Sequence, residues 1–512
     1  MLDGNSVIYL CRVNLDSDLK DTLTFTNKQE QINYFNSRIG RTFTNYTYLR
    51  KNNAIRVNGN YDEISKYPYL FLRNDEEDRY YFYFIVDYNY INENVTEIII
   101  KLDSWQTYQF DIQFYNSFVE REHVTDDTIG VHTVPENLEL GEYINYDRAK
   151  FNYPGNGNMI IVGSTINLED TSYPDISGDT YGGVYSGIKY YGFVTIESIN
   201  NMLNSVASAG KLDAIQFMFM LPGGLVDIEG MHITSSITPK VLTWSANKPT
   251  DINGYIPKNN KLFTYPYCYM LVTNGASESA ILQYNLFSDS ACNFKIYSVP
   301  TPGMSIRLVP QNYNGTVDNQ SEGLNLAKFP ICSWNSDVFT NWLTQNGVNV
   351  GLSAVGSVGT IAGGVGLMMT GAGALAGAGA IANGLMGVAN TVGQVYQHSL
   401  QPNQLNGNSN SGDVSFASNE TTFCIYGRTI RYEYAKIIDN YFSMYGYKVN
   451  SVKIPNINTR KNWNFVKTIN CHIMGNIPQS NLLEIQSAFD NGITLWHNPS
   501  TIYDYSQDNS NV

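Results

Sequence analysis

Aromatic and β-branched runs dominate the first third of the chain. Tyr80-Tyr-Phe-Tyr-Phe-Ile-Val-Asp-Tyr-Asn-Tyr90 and Val95-Thr-Glu-Ile-Ile-Ile-Lys-Leu-Asp103 flank the turn-forming Asn92-Glu93-Asn94, a pattern that predicts a β-hairpin. Asn27 to Arg38 has helical spacing instead, with Asn27 placed to cap and Ile32 and Phe35 on one face. From Phe151 to Pro330 the pattern changes. Turn clusters such as Tyr153-Pro-Gly-Asn-Gly157 and Ser177-Gly-Asp-Thr-Tyr-Gly-Gly183 separate short apolar runs, among them Met159-Ile-Ile-Val162 and Gln216-Phe-Met-Phe-Met-Leu221. These predict a second β-rich domain, with one short helix over Ile196–Val206 capped by Thr195. Towards the end, Arg431–Met444 keeps Ala435, Ile438 and Phe442 in helical register. Ser480–Phe489 predicts another helix, closed by Asn491-Gly492, and Lys461–Cys471 alternates as a strand. Tyr503–Val512 reads as a frayed end.

One segment fits neither period. No Asp, Glu, Lys or Arg occurs between Asp337 and Asp413, and the middle of that gap is built from Gly, Ala and small apolar residues. It is long enough for two membrane passes at roughly 20 residues each. Its first half carries Leu352, Val355, Val358, Ile361, Val365, Leu367, Met368 and Met369; the second has only Leu375, Ile381, Leu385, Met386, Val388 and Val392. At about −0.3 to −0.6 kcal/mol per strong hydrophobe, insertion of one helix is marginal. Three glycine pairs stand four apart: Gly347 with Gly351, Gly359 with Gly363, and Gly373 with Gly377. That spacing lets helix backbones approach closely. A mobile, self-associating, membrane-active loop fits this composition better than a permanent anchor. A buried Gly/Ala hairpin, or an apolar loop packed within an assembly, fits it too. The polar Gln401–Gly412 suits a flexible tether out of the segment.

Composition sharpens the picture. Charged residues make up 15% of the 512, and the deficit is filled by Asn, Ser, Thr, Gly and 38 Tyr, which suits strands, polar turns and wide subunit contacts. The formal charge of −14, without a Lys/Arg cluster, argues against holding nucleic acid by its phosphates. Such a charge is compatible with a passage to whose wall DNA does not adhere. The first residues lack the basic and apolar regions of a secretory signal. Six scattered cysteines (Cys11, Cys268, Cys292, Cys332, Cys424 and Cys471) read as buried free thiols.

Candidate chemistry is sparse. Glu120-Arg-Glu-His123, Asp126-Asp127 and His132 form the densest polar group, but their spacing matches no zinc signature, and they read as a solvated, salt-bridged turn. Cys471-His472 are adjacent on a predicted strand and so face opposite ways. Glu136 and Glu139 would need a defined separation in space to act as a carboxylate pair. No nucleophile elbow, phosphate loop or His-Glu-x-x-His is found. The reading is no enzyme, no metal site and no cofactor. His398 is the only ordinary titratable group within the uncharged gap, so protonation of carboxylates in the loop cannot release it.

Several separated blocks carry a resemblance. They are Lys101-Leu-Asp-Ser-Trp-Gln-Thr107, Phe118–Gly130, Gly141-Glu-Tyr143, Gln401-Pro-Asn-Gln404 into Gly412-Asp-Val414, Phe442–Val449, Lys461-Asn-Trp463, Gly475-Asn-Ile-Pro478 and Phe489–Trp496. In this order they resemble the distal tail-tube, or tail-knob, proteins of small short-tailed phages of Gram-positive bacteria. The resemblance implies a mainly β fold with a few short helices, of β-barrel or sandwich-type tube domains. It implies an N-terminal tube domain over 1–150 completed by 414–512, a β-rich knob domain over 151–335, and the long hydrophobic loop over 336–413. It further implies a homo-hexamer at the distal end of the tail, adjoining proximal tail or lower collar proteins. DNA passes through its lumen without sequence-specific binding. Gly347–Gly393 is then the lumen plug, expelled on infection to form a channel in the host cell membrane. Set against this is a receptor-binding or adhesion protein whose apolar segment only cements the oligomer.

Overall fold

The structure, a computed structural model, describes residues 6–46, 53–74, 79–154, most of 158–333, and 422–512. It is mainly β, as the sequence predicts. The chain divides into two compact units. The first takes the described residues of Met1–Gly141, Gly254–Leu262 and Tyr432–Val512; the second takes those of Glu142–Asn253 and Phe263–Arg431. Helices are named in chain order: α1 Lys28–Asn36, α2 Tyr61–Ile64, α3 Ser104–Tyr108, α4 Ile196–Ser208, α5 Tyr432–Tyr445 and α6 Gln479–Asn491.

The first unit contains a six-stranded antiparallel sheet in the order Ile39–Tyr46, Ser6–Cys11, Tyr69–Asn74, Arg79–Asn92, Val95–Leu102, Ala54–Asn58. The predicted hairpin is its fourth and fifth strands, paired from Tyr83↔Leu102 to Asn92↔Val95. Because side chains alternate between faces, the middle strands serve two cores. Leu70, Leu72 and Tyr83 pack with Ile8, Leu10 and Ile98 on one side, while Tyr69, Phe71, Phe82 and Phe84 enter an aromatic core with Trp105, Trp463 and Trp496 on the other. Helix α1 closes part of the second core, with Phe35 ring centroids 4.7 Å from Phe82 and 5.5 Å from Tyr69. Asn27 Oδ1 caps it, accepting from the Glu30 N–H at 2.9 Å. Ile32 is only half-buried. Gln31 takes the inner position beside Phe35, where its Nε2 donates to Gln106 O at 2.7 Å.

A five-stranded sheet joins both ends of the chain: Asp21–Leu23, Ile493–Trp496, Trp463–Ile469, Ser117–Glu122, Tyr447–Lys453. The strand within Lys461–Cys471 is thus central, and α6 ends at Gly492, whose φ of +96° favours glycine. The C-terminal segment does not fray. The Tyr505 ring lies 5.2 Å from Trp463 and 5.0 Å from Trp496. Asn509 Oδ1 accepts from the N–H groups of Asn462 and Trp463, both at 3.0 Å. Specific aromatic and amide contacts outweigh the polar, end-of-chain composition that suggested disorder.

The second unit has four- and six-stranded sheets around one core containing Phe151, Phe217, Met270, Phe294 and Phe423. Met159–Val162 and Gln216–Leu221 lie in neighbouring strands, paired from Asn158↔Pro222 to Ser164↔Ile215. Helix α4 begins at Thr195 as expected, the hydroxyl accepting from the Ser198 N–H at 3.2 Å. Cys11, Cys268, Cys292, Cys424 and Cys471 are buried free thiols, and burial pushes Cys11 up to about 12.

Candidate functional site

The predicted membrane-active loop lies outside the described residues. That holds for its spaced glycines, Gly347, Gly351, Gly359, Gly363, Gly373 and Gly377, and for its apolar positions from Leu352 to Val392. The strands on either side of the gap are described, and both belong to the second unit. Ile331–Ser333 is the last strand of the six-stranded sheet, paired with Phe217–Phe219. Cys424–Ile430 is central in a four-stranded sheet, between Tyr143–Lys150 and Cys268–Thr273. Just before it, Thr422 and Phe423 are buried, and Phe423 O accepts from the Phe151 N–H at 2.9 Å. From Thr422 onward the chain is therefore held in a core. Among the described residues no helix is long and apolar enough to cross a membrane.

The polar group at 120–132 is salt-bridged, as predicted, but only part of it is solvated: Asp126 is exposed, whereas residues 121–123 lie in the interior. Alternation along Ser117–Glu122 puts Val119 and Arg121 in the same inward phase, and Arg121, Glu122 and His123 are all buried. Arg121 Nη1 donates to Gly446 O at 2.7 Å and its Nη2 pairs with Glu136. Glu136, fully buried at its side chain, also accepts from Lys261 Nζ at 2.5 Å and from the Lys448 N–H at 2.8 Å. Burial lowers the Lys261 pKa, and the Glu136 charge opposes that shift. Glu122 accepts from Lys453 Nζ at 2.6 Å and the Asn456 N–H at 2.8 Å. Glu139 is exposed, so it forms no site with Glu136.

His123 Nδ1 accepts from the Phe465 N–H at 2.8 Å, which assigns the ring proton to Nε2, 3.1 Å from Ser443 O. Burial, then the nearby Arg460 charge, lowers its pKa to about 3. The imidazole is a neutral clasp between strand Trp463–Ile469 and α5. Asp127 accepts from Tyr447 Oη at 2.5 Å and from the Asn260 N–H at 3.0 Å. These groups, with Glu136 and Lys261, hold the short Gly254–Leu262 strap inside the first unit. Asp439 on α5 completes the hold, accepting from Tyr255 Oη (2.6 Å) and the N–H groups of Lys258 (2.8 Å) and Asn259 (3.0 Å). Helical register marked Ala435, Ile438 and Phe442 as inward, and they are; Asp439 follows Ile438 on that buried side. What this arrangement does is fix three distant chain segments together, through polar groups matched to structural partners.

The other motif blocks read the same way. In Lys101–Thr107, Asp103 caps α3 through the Gln106 N–H at 2.9 Å and accepts from Tyr69 Oη at 2.9 Å. Burial raises its pKa to about 7. Trp105 Nε1 donates to Leu23 O at 2.9 Å, and Thr107 Oγ1 accepts from the Phe82 N–H at 3.1 Å. In Phe442–Val449, Gly446 has φ +66°, and a Cβ there would collide with Glu122 O. In Lys461–Trp463 and the residue after it, buried Asn464 accepts from the N–H groups of Thr459 and Arg460, both at 3.0 Å. In Phe489–Trp496, Asp490 accepts from Thr468 Oγ1 at 2.7 Å and the Cys471 N–H at 2.9 Å. Cys471 is buried and His472 exposed, so they form no thiol–imidazole pair.

Comparison with known proteins gives these blocks a context. A family model for the C-terminal domain of the Bacillus phage phi29 tail knob protein gp9 matches residues 234–510. Another, for the N-terminus of caudoviral major tail proteins, matches residues 3–113. The tail knob protein gp9 of Bacillus phage phi29 is 25% identical, and that of Bacillus phage B103 24%, each over 99% of both chains. The fold is similar to that of the bacteriophage C1 tail knob protein gp12, with a TM-score of 0.65 at 15% identity, covering 99% of this chain and 100% of that one. The chain belongs to the family of the phage phi29 tail knob protein gp9, structural proteins of the phage tail.

Proposed function

We propose that six copies form the distal tail tube and knob, with residues 1–150 and 414–512 as tube domain and 151–335 as knob. The 336–413 loops plug the lumen before infection. On infection they are released into the host cell membrane and form the channel through which DNA leaves. The observation that carries this reading is the absence of charge from Asp337 to Asp413 in a tail knob protein whose flanking strands are firmly paired. A loop anchored at both ends can be displaced without loss of the protein from the tail. Six marginally apolar segments satisfy one another out of water, either packed together or lining a pore, where one alone cannot. Proximal tail or lower collar proteins adjoin the tube, and DNA passes without sequence-specific contacts.

Deleting Gly347–Gly393 tests the reading. Assembly into six-fold particles, seen by electron microscopy, is expected to survive. Dye release from liposomes and DNA delivery to cells are expected to be lost. Failed assembly with no membrane activity in the intact protein would refute it and favour an adhesion protein cemented by its apolar segment. We further infer that release is driven by change in the surrounding domains. Liposome leakage by the isolated loop peptide that switches on sharply with His398 titration would overturn that part.

A further inference from the structure

In the second unit, one four-stranded sheet runs in the order Tyr143–Lys150, Cys424–Ile430, Cys268–Thr273, Ser279–Leu282. Met270, Val272, Leu282 and Ile425 alternate into the core, so the positions between them point outward. One outward rung is Arg148, Tyr426, Leu271 and Ile281, and the next is Asn145, Arg428 and Tyr269. Lys150 follows Arg148 in the same phase. The Arg148 guanidinium lies 5.7 Å from the centre of the Tyr426 ring, and Ile281 is 50% exposed. Tyr143 and Tyr265 flank Tyr269, at ring distances of 5.3 and 5.7 Å, and both are exposed. Arg148, Lys150 and Arg428 have no ion-pair partner among the described residues; Arg428 Nε donates to the neutral Asn145 Oδ1 at 3.0 Å. No outward position of the four strands is Asp or Glu. A bulge after Asn145 sets Asp147 opposite Gly427, in the inward phase of Met270 and beside Tyr146. Glu142 and Glu278 stand just outside the strand ends, and Glu142 faces Arg431 at 4.0 Å.

A chain with 46 acidic and 32 basic residues thus gathers three uncompensated cations on one tyrosine-rich face, although no Lys/Arg cluster exists in its sequence. Tyr and Arg around a few aliphatic side chains is the composition of interface centres. The face covers on the order of 400 Å² of sheet, about half of what one partner gives to a standard interface. Charge selects the partner, because another copy, at net −14, offers chiefly acidic surface. A phosphate polymer fits less well: it needs a longer track of cations and would leave Leu271 and Ile281 in water. We propose that this face is one side of the contact between neighbouring copies and receives an acidic surface of the next one. Two such faces repel each other, so the contact is not two-fold. It joins unlike surfaces, the kind of contact that closes rings. The inference rests on the six-copy reading and adds which surface joins the copies.

Sedimentation velocity and electron microscopy of the full-length protein, from low to high salt, test the assignment. Wild type is expected to form rings that loosen as salt rises. Arg148→Glu combined with Lys150→Glu, both at exposed positions, is expected to weaken association about tenfold or more. Its thermal unfolding should be unchanged, and Arg148→Lys with Lys150→Arg should assemble as wild type does. In wild type, Lys150 is expected to be acetylated more slowly in the ring than in dissociated protein. Equal assembly by the charge-reversed variant overturns the proposal and leaves the six-copy reading standing. A wild type that stays monomeric under every condition overturns both. Should charge reversal lower the unfolding temperature, the acetylation decides: equal Lys150 reactivity in both states overturns the proposal. Unaltered assembly with loss of saturable binding to poly(dT) or polyphosphate also overturns it, and assigns the face to an anionic polymer.

Discussion

Replacing Glu136 with alanine strands two cations in one step. Its carboxylate is the shared acceptor for Arg121 and Lys261, whose side chains are 9% and 2% exposed, and it also holds the Lys448 N–H. Removing one partner of a buried ion pair costs about 3–5 kcal/mol, and the unmet Lys448 donor adds about 1 kcal/mol or more. Part of this is recovered when Lys261 releases its proton, which burial already favours. The net loss is about 4 kcal/mol at neutral pH, a large share of the roughly 5–15 kcal/mol typical of a domain. Hydrogen exchange followed by mass spectrometry is the suitable assay, because peptides from Tyr432–Val512 can be compared with internal references from Glu142–Asn253 in the same sample. Exchange should accelerate in the first set alone. Adding Lys261→Met to Glu136→Ala removes one stranded cation and should restore part of the protection. A Glu136→Ala change below about 1 kcal/mol, or no recovery in the double variant, would refute the account of a mutually dependent buried network.

Two buried groups should tilt stability against pH in opposite directions. The unfolded His123 imidazole takes up a proton below about 6.5, whereas the folded one resists until about 3, so its contribution is present above 6.5 and is lost as pH falls towards 3. Asp103 keeps its proton up to about 7 when folded but loses it near 3.9 when unfolded. Its contribution is full at low pH and disappears as pH rises through 7. The two contributions oppose each other between about pH 4 and 6.5, so relative to wild type the denaturant midpoint should rise towards acid in His123→Gln and fall towards acid in Asp103→Asn. Truncation before Tyr503 removes the ring against Trp463 and Trp496 and the Asn509 cap. A loss of about 3 kcal/mol or more is expected in thermal or denaturant unfolding. Gly446→Ala meets both a left-handed φ and the Glu122 backbone, and should cost about 1–3 kcal/mol by the same measurement.

The elements that could be read from the chain are those whose signal is local. The hairpin at 79–102, the Thr195 cap, the inward face of α5 and the Gly492 stop depend on periodicity or on a residue at a turn. The tail knob family was legible because the same kind of residue recurs in separated blocks, and many of the residues in them have a structural duty. What escaped was long-range. Arg121 meets Gly446 across 325 residues and Lys453 meets Glu122 across 331, and no local composition announces such partners. One cue was available: Arg121 and His123 continue the inward phase of Val119, so alternation alone pointed them to the interior. Their charge suggested solvent, and the partners that make burial tolerable were out of view. Tyr505 and Asn509 escaped for a similar reason, since their targets are two tryptophans and a turn elsewhere in the chain.

The composition of the five-stranded sheet has a consequence for how the protein is made. Asp21–Leu23 and Ser117–Glu122 are its only early strands, and they are not neighbours: Ile493–Trp496 and Trp463–Ile469 separate them. As the ribosome delivers the chain in order, these two early strands wait without partners while the whole uncharged stretch is synthesised. A nascent chain that stops between Gly393 and Ile493 carries the greasy stretch but lacks the strand that bridges to Asp21–Leu23, so termination in that window yields a polypeptide with every hazard of the loop and none of the closed scaffold.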